Sequence, residues 1–100
     1  DESGISKIKL RINFARAWAA LRRSLLLAGY KIIDEDRNEG VFYLEYIVRR
    51  SLLDRRQDIT SVEIFVRETK PNECLISTSL GLENKDLSDE IISEINQSLS

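Results

Sequence analysis

The chain opens with a short alternation of apolar and basic residues. Across residues 7–12, isoleucine or leucine alternates with lysine or arginine at every second position. Side chains with a period of two point to opposite faces of a strand, so this pattern predicts a β-strand with one buried face. The preceding residues carry little apolar content, and we expect residues 1–6 to form a flexible N-terminus.

A helical period replaces the alternation after Asn13, a residue type that often caps helix N-termini. Apolar residues then recur at spacings of three and four, while three arginines lie away from that stripe. The pattern predicts an amphipathic helix over residues 14–28, ended by Gly29, which readily adopts the left-handed conformation common after a helix. The predicted core stripe comprises Phe14, Trp18, Leu21, Leu25 and Ala28.

Four further segments have the composition of strands, namely residues 30–33, 41–48, 61–68 and 74–80. The first two flank the polar stretch 34–40 and predict a hairpin. Residues 49–58 are expected to form a charged connection, and Pro71 fits the second position of a turn before the last strand. Neighbouring strands joined by short connections are antiparallel, which predicts an antiparallel sheet.

A second amphipathic helix closes the chain. Ser88 is the predicted N-cap, and the acidic residues Asp89 and Glu90 favour the positive end of the helix dipole. The predicted order is therefore β-α-β-β-β-β-α, in which two helices cover the apolar face of one sheet. We expect a single two-layer α+β domain over residues 7–100.

The composition limits the classes of function that this chain can have. The chain has 100 residues, 42% of them hydrophobic and 32% charged, which is ordinary for one globular domain. It has no histidine, the usual general base and metal ligand, and its single cysteine forms no internal disulfide. We expect Cys74 to be a buried, inert thiol. The composition favours a non-catalytic module, with no catalytic residue, metal or other cofactor.

Charge is unevenly distributed along the chain. Residues 1–56 hold 12 Lys and Arg against 8 Asp and Glu, whereas residues 57–100 hold 3 against 9. The net charge is −2 and the pI is near 5.2, while nucleic-acid binders usually carry a clear basic excess. We therefore expect no nucleic-acid partner.

The basic half contains a candidate interface. In residues 49–56, four arginines surround two leucines, a combination that suits protein interfaces, anionic lipid headgroups or phosphates. The alternative is a solvated loop in which one leucine covers the sheet edge. The candidate partner-binding residues are Arg49, Arg50, Leu52, Leu53, Arg55 and Arg56.

The strand over residues 41–48 carries aromatic residues on both faces. We expect Phe42, Leu44 and Tyr46 to face the helices, which leaves Tyr43 on the open face near Phe65. An exposed aromatic side chain can stack on bases or receive a peptide. The alternative is cross-strand pairing that only stabilises the sheet.

The hairpin also matches part of a calcium-binding loop. Asp34, Asp36, Asn38 and Glu45 stand at positions 1, 3, 5 and 12 of an EF-hand count. Position 6, which must be glycine, is Glu39, and both flanking segments are predicted strands instead of helices. The sequence therefore predicts a solvated turn here and no metal site.

The same hairpin resembles a family motif. Residues 34–46 read Asp-Glu-Asp-Arg-Asn-Glu-Gly-Val-Phe-Tyr-Leu-Glu-Tyr. This is similar to the acidic-Asp-Arg-x-x-Gly-x-x-Tyr-x-x-Tyr hairpin of the BamC (NlpB) lipoprotein family. The resemblance extends upstream through residues 14–18 and the helix stop at Gly29 and Tyr30, and covers about residues 7–99. It implies a helix-grip domain of an outer-membrane lipoprotein in the β-barrel assembly machinery.

The resemblance implies a scaffold function. We expect a protein-interaction domain in the cell envelope, at the outer membrane, whose partner is another barrel-assembly component. Membrane contact is expected only through a lipid anchor outside this chain. Two alternatives stay open: a small-ligand or lipid carrier with an apolar groove between helix and sheet, as in other helix-grip folds, and a nucleic-acid-binding module that uses the arginine segment.

Overall fold

The computed structural model describes residues 5–49 and 57–99, with the side chains of 47–49 and 57–60 left out of the description. The elements are strand β1 (Ile8–Leu10), helix α1 (Phe14–Leu27), strands β2 (Lys31–Asp36), β3 (Val41–Arg49), β4 (Gln57–Lys70) and β5 (Glu73–Thr78), and helix α2 (Lys85–Leu99). The predicted α+β class and the order β-α-β-β-β-β-α are confirmed.

The five strands form one antiparallel sheet with the spatial order β1-β5-β4-β3-β2. Strands β2 to β5 pair with their neighbours in sequence. Strand β1 instead pairs with β5, with Ile8 opposite Ile76. The first and the last strand along the chain are therefore neighbours in the sheet. Strands β1 and β2 are therefore the two edges.

Local residue chemistry sets both ends of helix α1. The side chain of Asn13 accepts a hydrogen bond from the Arg16 amide at 2.9 Å, so Asn13 caps the helix as predicted. At the other end, Gly29 has a φ of 86°, and the Tyr30 amide donates to the Leu25 carbonyl at 3.0 Å. Glycine adopts this left-handed conformation without a Cβ penalty, which confirms the predicted helix stop.

Both helices lie on the same face of the sheet. The Trp18 ring of α1 stacks on the Phe42 ring of β3, with 4.0 Å between centroids. The two helices also contact each other, because Ser24 Oγ donates to the Ile95 carbonyl at 2.9 Å. Residues buried in this layer include Ala17, Leu21, Leu25, Phe42, Leu44, Val62, Ile64, Cys74, Ile76, Ile91 and Ile95. The predicted assignment of Phe42 and Leu44 to the helix side is confirmed, and Tyr46 packs at the margin of this core.

Two strands are longer than the sequence pattern predicts. Strand β2 continues through Asp36, where the sequence predicts a turn, and β4 begins at Gln57, inside the predicted charged connection. The first prediction was wrong because β2 is an edge strand, from which acidic side chains reach solvent without leaving the sheet. The second was wrong because strand pairing continues to the last residue of β3, where Arg49 lies opposite Gln57.

Helix α2 begins earlier than predicted. One turn of 3-10 helix at Leu82–Asn84 leads directly into Lys85. Ser88 is therefore a buried residue inside the helix and not its N-cap. Its Oγ lies 2.8 Å from Oγ1 of Thr78 in β5. The prediction was wrong because this serine has a tertiary partner that the local sequence does not reveal.

Candidate functional site

The predicted partner-binding segment lies between strands β3 and β4. Arg49 is the last residue of β3 and pairs with Gln57, the first residue of β4. The other five candidates lie outside the described residues, and they are Arg50, Leu52, Leu53, Arg55 and Arg56. Their role in binding a partner stays a prediction.

The face of the sheet opposite the helices carries the second candidate surface. Tyr43 lies between the buried residues Phe42 and Leu44 in sequence, points away from the core and is 37% exposed, as predicted. Phe65 lies on the same face, diagonal to Tyr43, and is partly buried. Val41, directly opposite Phe65, is buried on this otherwise open face.

Tyr43 has a carboxylate beside it on each neighbouring strand. It pairs with Asp34 of β2 on one side and with Glu63 of β4 on the other. Side chains that pair directly across antiparallel strands point to the same face, with Cβ atoms about 4.5–5.5 Å apart. Asp34, Tyr43 and Glu63 therefore form a row across the open face, which we call the tyrosine row.

The tyrosine row lies in a groove of about 550 Å³. A register shift between Ile32 and Asp34 makes Ile33 an extra residue in the edge strand, where 58% of it is exposed. Ser61 of β4 lines the groove beside Glu63. The other described lining residues are Glu35, Asp36, Arg37, Asn38, Leu44 and Val62. The groove thus combines an exposed aromatic ring, an exposed isoleucine and a mainly acidic lining.

The acidic groups of the groove differ in their partners. Glu35 forms an ion pair with Arg22 of helix α1, in which its Oε2 lies 3.2 Å from Nε of Arg22. Asp34 and Asp36 accept hydrogen bonds from nearby backbone amides, at 2.8 and 3.1 Å. Within residues 5–49 and 57–99, no ion pair involves Asp34, Asp36 or Glu63. Three carboxylates of the groove are therefore not neutralised by a described cation.

The residues that match the spacing of an EF-hand calcium loop do not share a loop in the structure. Asp34 and Asp36 lie in β2, whereas Glu45 lies in β3, where its Oε2 is 3.2 Å from Nζ of Lys31. Strands flank the turn, as predicted. In the part of the chain that the structure describes, no group of three or more acidic or cysteine side chains is placed to hold a metal ion.

A separate polar cluster lies where helix α1 ends. The Tyr30 hydroxyl donates a hydrogen bond to the Glu94 carboxylate of α2, and the Tyr30 and Tyr46 rings lie 5.9 Å apart beside a cavity of about 320 Å³. Burial and the hydrogen bond to Glu94 raise the pKa of Tyr30 above its ordinary value of 10.0. Burial and the charge of Glu90 raise the pKa of Tyr46. Both hydroxyls are therefore neutral at physiological pH.

Cys74 is buried, as predicted. Its Sγ donates to the Ile12 carbonyl at 3.5 Å, which joins β5 to the segment after β1. Burial, with the nearby Glu68, raises the pKa of the thiol. Because the thiolate is the reactive form of cysteine, this thiol is poorly suited to nucleophilic attack.

The sequence pattern predicts the exposure of Tyr43, but it does not bring Asp34 beside Tyr43 and does not single out Glu63. Alternation in β4 turns Glu63 away from the buried Val62, which was the available signal. The register that sets Glu63 opposite Tyr43, and the bulge that sets Asp34 there, do not follow from alternation within one strand.

No protein-family model matches this sequence, and no curated protein is detectably similar to it. Among the described helices, none is long and apolar enough to cross a membrane.

Proposed function

We propose that the chain is a non-catalytic protein-interaction domain of a BamC-like envelope lipoprotein, which acts as a scaffold in the assembly of outer-membrane β-barrel proteins. Two features support this. The hairpin over residues 34–46 resembles the BamC motif, and the order β-α-β-β-β-β-α suits a helix-grip domain. The proposed location is the cell envelope, with any membrane contact made by a lipid anchor outside this chain.

One observation carries the interaction function: the described core residues between the two layers are buried, and the open face of the sheet holds a groove. Leu21, Leu25 and Ile95 have no exposed surface between the two layers. The opposite face of the sheet holds the groove of about 550 Å³ around Tyr43. Exposed aromatic rings in a polar surround are typical of protein-binding surfaces, so recognition belongs on this outer face.

A small-ligand or lipid carrier is the alternative function. It requires an open apolar cavity between the helices and the sheet. Here the Trp18 ring lies 4.0 Å from the Phe42 ring, and a hydrogen bond joins Ser24 to Ile95 across the two helices. This close packing of the described residues favours the interaction function.

Capture of purified barrel-assembly proteins by the full chain tests the proposal. We expect the wild-type chain to retain at least one of them. Substitution of both Leu52 and Leu53 by Ser should weaken capture if segment 49–56 contributes. The matched control substitutes Leu26 and Leu27 by Ser, because both leucines are more than half exposed on helix α1.

Two outcomes count against the proposal or a part of it. Absence of capture of any assembly component by the wild-type chain overturns the scaffold function. Unchanged capture by the Leu52→Ser, Leu53→Ser chain removes the arginine segment from the interface and leaves the open sheet face as the binding surface.

A further inference from the structure

Resting on the proposed function, we propose that the tyrosine row binds the guanidinium group of an arginine side chain that a partner protein presents in the groove. The row consists of Asp34, Tyr43 and Glu63, side by side on three strands. A partner that binds at this row therefore presents an arginine side chain, which is more specific than a protein interaction alone.

The order of groups in the row suits a guanidinium. The face of the Tyr43 phenol attracts a cation held over it, and a carboxylate stands on either side, in Asp34 and in Glu63. A guanidinium is planar, so it stacks on an aromatic ring while its N–H groups point sideways to acceptors. An ammonium group is a compact point charge and satisfies only part of this arrangement.

Charge in the groove is complementary to such a partner. Asp34, Asp36 and Glu63 have no ion pair with any described residue, and Arg37 is the one basic residue among the described residues that line the groove. The exposed side chain of Ile33 offers an apolar contact for the methylene stem that carries the guanidinium. The aromatic ring, the apolar contact and the carboxylates that have no ion pair with a described residue together favour arginine over a simple cation.

The geometry of β2 indicates docking on the sheet face instead of strand addition. A bulge at Ile33 interrupts the regular spacing of backbone groups along this edge. The Asp34 side chain accepts the hydrogen bond of the Glu35 amide, so that amide is not free for an added strand. Bulges and charged residues are the features that commonly protect edge strands from pairing.

Titration with synthetic peptides tests the inference on the full chain. The probe is a peptide of alternating arginine and threonine, and the matched peptide carries the neutral isostere citrulline at every arginine. We expect the arginine peptide to shift the amide resonances of residues 34, 43 and 63. The citrulline peptide should bind roughly tenfold more weakly or not at all.

Variants of the tyrosine row distinguish binding at this site from general electrostatic attraction of a basic peptide. Asp34→Asn together with Glu63→Gln should weaken arginine-peptide binding roughly tenfold, and Tyr43→Leu several-fold. The matched control is Glu73→Gln, which removes a carboxylate from β5, where Glu73 pairs with Lys9 outside the groove. We expect that control to bind as the wild type does.

Three results overturn the inference: no binding of the arginine peptide, equal binding of the citrulline peptide, or equal weakening by Glu73→Gln. Its failure is distinguishable from failure of the proposed function. If the wild type and the Asp34→Asn, Glu63→Gln chain capture assembly proteins equally well, the interaction function stands and the arginine site falls. If the arginine peptide binds but no assembly protein is captured, the scaffold function falls and the site stands.

Discussion

The hydroxyl of Ser88 in helix α2 lies 2.8 Å from the hydroxyl of Thr78 at the end of strand β5, and both residues are buried. A buried hydroxyl without a partner is costly, so the two groups satisfy each other inside an otherwise apolar layer. Thr78 Oγ1 also accepts from the Leu80 amide at 3.3 Å. This pair joins helix α2 to the end of strand β5.

Removal of one member of this hydroxyl pair should destabilise the fold. We expect Ser88→Ala to lower the free energy of unfolding by about 1–2 kcal/mol, because Thr78 loses its buried partner. Ser93→Ala, at an exposed position of the same helix, is the control and should change stability by less than about 0.5 kcal/mol. Urea denaturation measures both, and equal effects of the two substitutions would contradict a role for the buried pair.

Adjacent residues of β3 should respond very differently to truncation. Phe42 has no exposed surface and stacks under Trp18, whereas Tyr43 faces the open groove. We expect Phe42→Ala to lower the free energy of unfolding by roughly 3–5 kcal/mol, and Tyr43→Ala by about 1 kcal/mol or less. The fluorescence of Trp18, the single tryptophan, reports unfolding in both chains. A larger cost at Tyr43 would reverse the assignment of the two sheet faces.

Two glycines with positive φ should differ in their tolerance of alanine. Gly29 has a φ of +86° with nothing within 4 Å of an added Cβ, so Gly29→Ala should cost roughly 1–2 kcal/mol of backbone strain. Gly40 has a φ of +70°, and an added Cβ would clash with the Val66 carbonyl oxygen. Gly40→Ala adds this clash to the strain and should cost roughly 3 kcal/mol or more.

Thermal or urea unfolding of the two glycine variants checks this order. Equal losses would mean that the close approach of Gly40 to β4 does not constrain the hairpin. The Val66 amide also donates to the Gly40 carbonyl at 2.8 Å, so displacement of the turn breaks a hydrogen bond as well. Gly40 is the glycine of the BamC-like motif, and this contact gives its presence a structural reason.

The Tyr30 hydroxyl should make stability sensitive to alkaline pH. Burial and the hydrogen bond to Glu94 raise its pKa in the folded chain above the ordinary value of 10.0. The folded state therefore holds this proton more tightly than the unfolded state does, and the contribution to stability is complete below pH 10.0. It is lost as the pH rises further, first through the unfolded pKa and then towards the folded one.

Comparison with Tyr30→Phe isolates this effect, because Tyr46 and Lys85 also have raised pKa values and titrate in the same direction. We expect the free energy of unfolding of the wild type to fall more steeply above about pH 10 than that of Tyr30→Phe. Urea denaturation over an alkaline pH series measures the two slopes. Identical slopes would contradict a raised pKa at Tyr30.

The sequence predicts those features of the fold that neighbouring residues determine. Asn13 and Gly29 carry the local chemistry of the two ends of α1, and alternation in β3 separates Phe42 from Tyr43. Features that depend on contacts distant in sequence were not predicted. The sequence around Ser88 is typical of a helix N-cap, and its buried contact with Thr78 is visible only in the folded structure.

The candidate site likewise has one part that the sequence predicts and one part that depends on contacts distant in sequence. Exposure of Tyr43 follows from alternation, but its position between Asp34 and Glu63 depends on strand register and on the bulge at Ile33. A shift of one residue in either pairing would turn the flanking carboxylate to the other face. The arginine segment, in contrast, is a feature of composition, and its contribution stays a prediction.

Amide resonance mapping of the full chain with purified barrel-assembly proteins shows whether the open sheet face is the surface that binds them. We predict that the perturbed resonances of the described residues cluster on the open sheet face, around residues 34–36, 43 and 61–63. Resonances of the buried face of helix α1, such as Leu21 and Leu25, should stay unchanged. Perturbations confined to the helix layer, or none with any assembly protein, would contradict binding at the open sheet face.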